Sequence, residues 1–161
     1  MGKEGKAMFV GRKTELKEFN ELYKKNCFQM PIVYGRRRVG KTFFINEFCK
    51  DKENIFFSCD QSNYQENLNK YSRLVLDHFK DNREENFASF ESAINYIIEH
   101  YKNKKKPIVL VFDEFPYLVY SNKSILSKLQ NYIDNTLKKH NVFLILCGSY
   151  ISFMEEKLYI C

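Results

Sequence analysis

The eight residues GRRRVGKT, Gly35 to Thr42, have the types and spacing that bind phosphate, and we call them the phosphate loop. They fit the pattern GxxxxGK[ST], in which main-chain N–H groups surround a phosphate and the dipole of the following helix adds partial positive charge. Gly35 and Gly40 permit close approach of the main chain. Lys41 would reach the β- and γ-phosphates of a nucleotide, and Thr42 would offer its hydroxyl to Mg²⁺.

Three arginines, Arg36, Arg37 and Arg38, lie inside this loop, although turns that approach a ligand closely are usually built from small residues. Because main-chain N–H groups hold the ligand, these side chains can project outward. They would raise the positive potential around a triphosphate, and one of them could contact phosphate or a partner. Solvated charge is the alternative. With Val39 and Phe43, they complete the predicted nucleotide-contacting segment.

Two carboxylates, Asp113 and Glu114, end the apolar run PIVLVFDE. Such a run is typical of a strand buried on both faces of a parallel sheet, and open α/β sheets bind ligands at the carboxyl ends of their strands. We predict that Asp113 holds Mg²⁺ through water and that Glu114 deprotonates a water that attacks the γ-phosphate. The alternative is an acidic pair that faces solvent.

A hydroxyl, Ser149, ends a second apolar run, NVFLILCGS. If this strand lies beside the one that carries Asp113, Ser149 would lie near the γ-phosphate or the attacking water. A helix cap is the alternative. His78, His100 and His140 lack the spacing of zinc ligands, so we expect them at the surface or at helix ends.

Strands alternate with amphipathic helices along the whole chain, which predicts right-handed βαβ units and a parallel sheet. We find no linker, and we therefore treat residues 1–161 as one domain. The run KNKKKP, residues 102–107, ends a predicted helix, and we expect its lysines to form a solvated cap. The strands are predicted at residues 30–35, 54–59, 107–113 and 141–149. The helices are predicted at 12–25, 41–50, 63–101 with a break at 80–86, 125–137 and from about 150 onward.

The composition bounds the class of protein. With 161 residues, 44% of them hydrophobic, the chain can bury a core and is not disordered. The net charge of +6 favours polyanionic ligands generally, but no interleaving of aromatic and basic residues marks a nucleic-acid stacking platform. No apolar run reaches the roughly 20 residues of a membrane helix, so we expect a cytoplasmic protein without a membrane partner. The five scattered cysteines predict reduced, mostly buried thiols.

Four segments together resemble the landmarks of the archaeal-type ATPases, a family similar to the AAA and STAND P-loop ATPases of archaea and bacteria. The segments are FVGRKTELKEF (9–19), YGRRRVGKT (34–42), VFDEFPYL (111–118) and LCGSYISFM (146–154). The resemblance implies a three-layer α/β P-loop NTPase fold, with a parallel sheet of order 5-1-4-3-2 and the phosphate loop after the first strand. It also implies that Val10, Gly11 and Arg12 lie near the adenine and ribose of ATP.

The family's functional residues map onto this chain by position. The resemblance implies that Lys41 and Thr42 bind phosphate and Mg²⁺, that Asp113 coordinates Mg²⁺ through water, and that Glu114 is the catalytic base. Ser149 takes the sensor position. Family members continue into a fifth strand and a helical lid that do not fit after Met154. We therefore expect an incomplete ATPase core with an exposed first strand and weak activity.

Three functions fit these residues. The leading one is Mg²⁺-dependent ATP hydrolysis, in which the exchange of ATP for ADP switches contacts with a protein or DNA partner or with a second copy of the chain. The second is a small-molecule kinase, although a water-activating base beside the metal ligand would waste ATP in such an enzyme. The third is a module that senses nucleotide or associates with DNA without catalysis.

Overall fold

A parallel sheet of four strands, with helices on both faces, forms the part of the chain described by the computed structural model, residues 12–34 and 40–148. The strands are β1 (Ile32–Tyr34), β2 (Asn54–Ser58), β3 (Ile108–Asp113) and β4 (Val142–Gly148). The helices are α1 (Arg12–Lys24), α2 (Lys41–Cys49), α3 (Tyr64–His78), α4 (Phe90–Tyr101), α5 (Pro116–Ser121) and α6 (Ile125–Asn135), followed by a 3₁₀ turn at Leu137–Lys139. None of these helices has the length and hydrophobicity needed to cross a membrane.

The strand order is β1-β4-β3-β2, and all three pairings are parallel. This order is the 1-4-3-2 part of the arrangement that the resemblance implies, so the predicted fold class is confirmed. The register pairs Tyr34 with Gly148 and Ser58 with Asp113. The carboxyl ends of all four strands therefore lie along one edge of the sheet, which we call the carboxyl edge. The opposite edge, where the strands begin, is the amino edge.

The two central strands are buried along their whole length, as their apolar sequences predict. Side chains alternate between two cores because successive residues of a strand face opposite sides of the sheet. Val109 and Val111 pack with Phe44 and other side chains of α1 and α2 on one face. Leu110 and Phe112 belong to the core on the other face, which also holds side chains of α3 to α6. Both sides of β3 are thus fixed, which holds its last residue, Asp113, in place.

One short helix, α5, was not predicted from the sequence. It begins at Pro116, a residue favoured in the first turn of a helix because its fixed φ angle suits the helix and its missing N–H is not needed there. The predicted break between the two long helices is confirmed, since α3 ends at His78 and α4 begins at Phe90. Three of the four cysteines within the described ranges are buried, and all four are free thiols.

Candidate active site

The hydroxyl of Thr42 and the carboxylate of Asp113 are in contact at the carboxyl edge. Thr42 Oγ1 donates a hydrogen bond of 3.2 Å to Asp113 Oδ2, although 71 positions separate them in the sequence. Asp113 is only 8% exposed, whereas Thr42 is exposed. A hydroxyl beside a carboxylate is a donor set of hard oxygen atoms, which is what Mg²⁺ prefers. The structure therefore brings together the two residues that were predicted to bind the metal, and their oxygen atoms suit Mg²⁺.

The start of α2 suits an anion. Gly40 precedes the helix with φ 83° and ψ 20°, a left-handed conformation that favours glycine, and its carbonyl accepts a hydrogen bond of 2.9 Å from the N–H of Phe44. Glycine has no side chain with which to cap the helix, and the first turn carries no acidic residue. Lys41 is the first residue of α2. Helix dipole and lysine charge would therefore both favour phosphate at this position.

Glu114 adopts a backbone conformation that is rare for its residue type. Its φ angle is 54°, in the left-handed region, where a residue with a Cβ atom loses about 1 to 2 kcal/mol. Its N–H donates a hydrogen bond of 2.9 Å to Asp113 Oδ1, and the next residue, Phe115, donates one of 2.9 Å to the carbonyl of Cys147. The turn therefore anchors Glu114 between the end of β3 and the start of α5. Strain of this kind is concentrated at functional sites.

Two buried thiols flank Asp113, one near the end of each neighbouring strand. The N–H of Cys59, directly after β2, donates a hydrogen bond of 2.9 Å to the carbonyl of Asp113. Cys147 follows Leu146, the register partner of Phe112. Burial, and next the negative charge of Asp113, raise the pKa of both thiols far above the ordinary value, so both stay neutral at physiological pH. The sequence predicts only buried thiols at these positions, because their place beside Asp113 depends on the register in which β3 pairs with β2 and β4.

Several predicted site residues lie outside the described residues: Val10, Gly11, Gly35, Arg36, Arg37, Arg38, Val39 and Ser149. Their roles stay predictions. Tyr34 and Gly148, which directly precede the phosphate loop and Ser149 in the sequence, are register partners at the carboxyl edge. Arg12 begins α1, and Phe43, the third residue of α2, is 56% exposed.

Comparison with known proteins places the chain in a family. The model of an ATPase domain found predominantly in Archaea matches residues 9–160. An uncharacterized protein of Methanocaldococcus jannaschii is 33% identical over 154 residues, which cover 94% of this chain and 32% of the relative. An uncharacterized ATP-binding protein of the same organism is 45% identical over 49 residues, 30% of this chain and 83% of that protein. The chain thus spans about a third of the length of the first of these relatives.

Solved structures share the fold. The Cdc6p protein of Pyrobaculum aerophilum superimposes with a TM-score of 0.63 at 13% identity, over 93% of this chain and 41% of that one. A Walker-type ATPase of Pyrococcus abyssi superimposes with a TM-score of 0.61 at 21% identity, over 84% of this chain and 44% of that one. At these identities the likeness concerns the fold alone.

Proposed function

Because the chain belongs to the family of ATPase domains found predominantly in Archaea, we propose that it binds ATP with Mg²⁺ and hydrolyses it. The observation that carries this proposal is the contact between Thr42 and Asp113, which joins the first turn of α2 to the end of β3. Residues 1–161 would then form one ATPase core, with the triphosphate between the phosphate loop and the carboxyl edge of the sheet.

The metal would be held by the two oxygen ligands already in contact. Thr42 would bind Mg²⁺ through its hydroxyl, and Asp113 would hold it through a coordinated water. When bound, the ion supplies positive charge that balances the charge developing on the β- and γ-phosphate oxygens. Lys41 adds a second positive charge beside the same oxygens. The buried neighbours of Asp113, Cys59 and Cys147, are neutral, so neither thiol adds a charge beside the Asp113 carboxylate.

Hydrolysis itself would require a base, and we assign Glu114 to it. Its carboxylate would accept a proton from a water molecule whose oxygen attacks the γ-phosphorus. The bond from that phosphorus to the bridging oxygen breaks, and the electron pair leaves with ADP. The hydrogen bond from the N–H of Glu114 to Asp113 supports this role, because it ties the base to the residue that serves the metal.

The nucleotide state would reach a partner through α5, which begins two residues after Glu114. The N–H of Tyr117 donates a hydrogen bond of 3.1 Å to the carbonyl of Glu114, so movement of Glu114 would displace this helix. Tyr120 on the same helix is 63% exposed. Next to α5 lies a cleft of about 320 Å³, lined by Gln61, Ser62, Tyr117, Tyr120 and Ser121. We propose that a protein partner reads the nucleotide state at this cleft.

Two measurements test the proposed function. Phosphate release from Mg-ATP without any added acceptor should be detectable and should be lost in Lys41→Ala. Release that requires an added small-molecule acceptor would instead identify a kinase. Hydrogen–deuterium exchange should show that Mg-ATP changes the protection of residues 116–121, and unchanged exchange there would contradict the coupling through α5.

A further inference from the structure

The amino edge of the sheet, opposite the candidate active site, brings together two groups of basic residues that are distant in the sequence. One group follows α4, and the other lies in and after the 3₁₀ turn that precedes β4. The pairing of Ile108 with Val142 places both groups at the starts of adjacent strands. Between them lies a recess of about 160 Å³, whose basic lining residues are Lys102, Lys104, Lys106, Lys139 and His140.

Much of this positive charge is not compensated by neighbouring carboxylates. Lys102 forms an exposed ion pair of 3.1 Å with Glu99. The pKa of Asp51 is lowered chiefly by its hydrogen bond to Lys52 and to a smaller extent by the charge of Lys106. Within residues 12–34 and 40–148, the lysines of this edge form ion pairs at Lys24–Glu21, Lys52–Asp51, Lys102–Glu99 and Lys138–Asp134. The exposed Lys104 and Lys139 take part in none of these pairs.

The basic surface continues along the edge toward α1. The hydroxyl of Tyr23 donates a hydrogen bond of 2.9 Å to the carbonyl of Pro107, and the side chain of Asn141 donates one to that of Asn26. These contacts bring the exposed Lys24 and Lys25 to the same edge. The starts of three adjacent strands span about 10 Å. Such a span corresponds to about three nucleotide steps of roughly 3.4 Å each along a duplex.

We propose that the amino edge binds the sugar–phosphate backbone of nucleic acid without sequence preference. Lysines act on phosphate as point charges, and contacts to phosphate carry no sequence information. A protein partner fits this surface less well, because the centres of protein interfaces are depleted in lysine and enriched in aromatic anchors. The exposed large apolar side chains in the described part of the chain are Phe43 in α2 and Tyr120 in α5, and neither lines the recess. This inference is independent of ATP hydrolysis.

A charge-reversal experiment tests the proposal. Fluorescence anisotropy would measure binding of a labelled mixed-sequence DNA duplex of about 20 base pairs to the 161-residue chain over a series of salt concentrations. The double variant Lys104→Glu/Lys139→Glu reverses the charge of one lysine in each of the two basic groups. The control, Lys123→Glu/Lys128→Glu, makes the same change in net charge with exposed lysines outside the amino edge. Thermal melting verifies that both variants are folded, and Lys104→Ala/Lys139→Ala is a milder second test.

The amino-edge variant should lose at least about tenfold in affinity at low salt, and the slope of log affinity against log salt should fall by about two. The control should lose less than about threefold, and saturating Mg-ATP should not displace the duplex. Equal losses in both variants would overturn the proposal, because the net charge of the chain would then explain the binding. Displacement by Mg-ATP would place the duplex at the phosphate loop. Preferential binding of a polyglutamate peptide would point to an acidic protein as the partner instead. Displacement by Mg-ATP and preference for polyglutamate would each overturn the proposal.

Discussion

Thr42 Oγ1 donates a hydrogen bond of 3.2 Å to Asp113 Oδ2, and this contact joins the helix after the phosphate loop to β3, one of the two central strands of the sheet. Asp113 is fixed from both sides, because its carbonyl accepts from the N–H of Cys59 and its carboxylate accepts from the N–H of Glu114. The two residues proposed as Mg²⁺ ligands, Thr42 and Asp113, are therefore in contact. Glu114, the proposed catalytic base, directly follows Asp113 in the sequence. Metal binding and water activation can thus be separated by single substitutions at neighbouring positions.

Removal of the Thr42 hydroxyl should weaken metal-dependent turnover. Thr42→Val keeps the shape of the side chain but lacks the oxygen. We expect the rate of phosphate release to fall at least about tenfold, which corresponds to the loss of one charge-assisted contact. Thr42→Ser keeps the oxygen and is the matched control. Titration of phosphate release against Mg²⁺ measures both variants. An unchanged Mg²⁺ dependence in Thr42→Val would remove this residue from the metal site.

Replacement of Glu114 by glycine should stabilise the fold while it abolishes hydrolysis. The φ angle of 54° costs a glutamate about 1 to 2 kcal/mol, part of which glycine recovers. We expect the free energy of unfolding to rise by about 0.5 to 1 kcal/mol in urea denaturation, after the entropic cost of glycine is subtracted. Glu47→Gly, at an exposed position within α2, is the control and should lower it by about 1 kcal/mol. A destabilised Glu114→Gly would show that the carboxylate, and not the backbone, sets the stability of this turn.

Alkaline pH should destabilise the protein through its buried thiols. Burial raises the pKa of Cys49 from about 9 to about 11, so an unfolded chain releases this proton at lower pH than the folded one. The contribution of Cys49 to stability is complete below pH 9 and is lost as pH rises from 9 to about 11, which amounts to a few kcal/mol, on the order of 3.

The slope of unfolding free energy against pH measures this effect. Urea denaturation between pH 9 and about 11, under reducing conditions, should give a shallower decline for Cys49→Ala than for the wild type, by on the order of 1 kcal/mol per pH unit. Cys27→Ala, which removes an exposed thiol, is the matched control. Identical slopes for all three proteins would show that Cys49 ionises equally in the folded and unfolded chain.

The sheet was predictable because its strands show in local patterns. The buried strands β3 and β4 are continuous apolar runs. Thr42 and Asp113 were chosen as candidate metal ligands because their side chains carry the oxygen atoms that Mg²⁺ prefers. The helix α5 was missed because its six residues are too few to show a helical period, and because it begins after a left-handed Glu114 that no pattern predicts.

Features that depend on how distant segments pair could not be read from the residue pattern alone, and only the resemblance implied the strand order. Cys59 and Cys147 flank Asp113 only because β3 lies between β2 and β4. The lysines at 102–106 looked like a solvated helix cap, since their proximity to Lys139 requires the parallel pairing of β3 with β4. The roles of Val10, Gly11, Arg36, Arg37, Arg38 and Ser149 remain predictions from the sequence.

Phosphate release by Glu114→Gln, measured together with its affinity for ATP, tests the central claim most directly. Glutamine keeps the size of the side chain but cannot accept the proton from water. We expect ATP affinity within about threefold of the wild type and a loss of turnover of at least about a hundredfold, the usual contribution of a general base. Turnover at the wild-type rate in Glu114→Gln, with ATP bound normally, would contradict the assignment of Glu114 as the catalytic base.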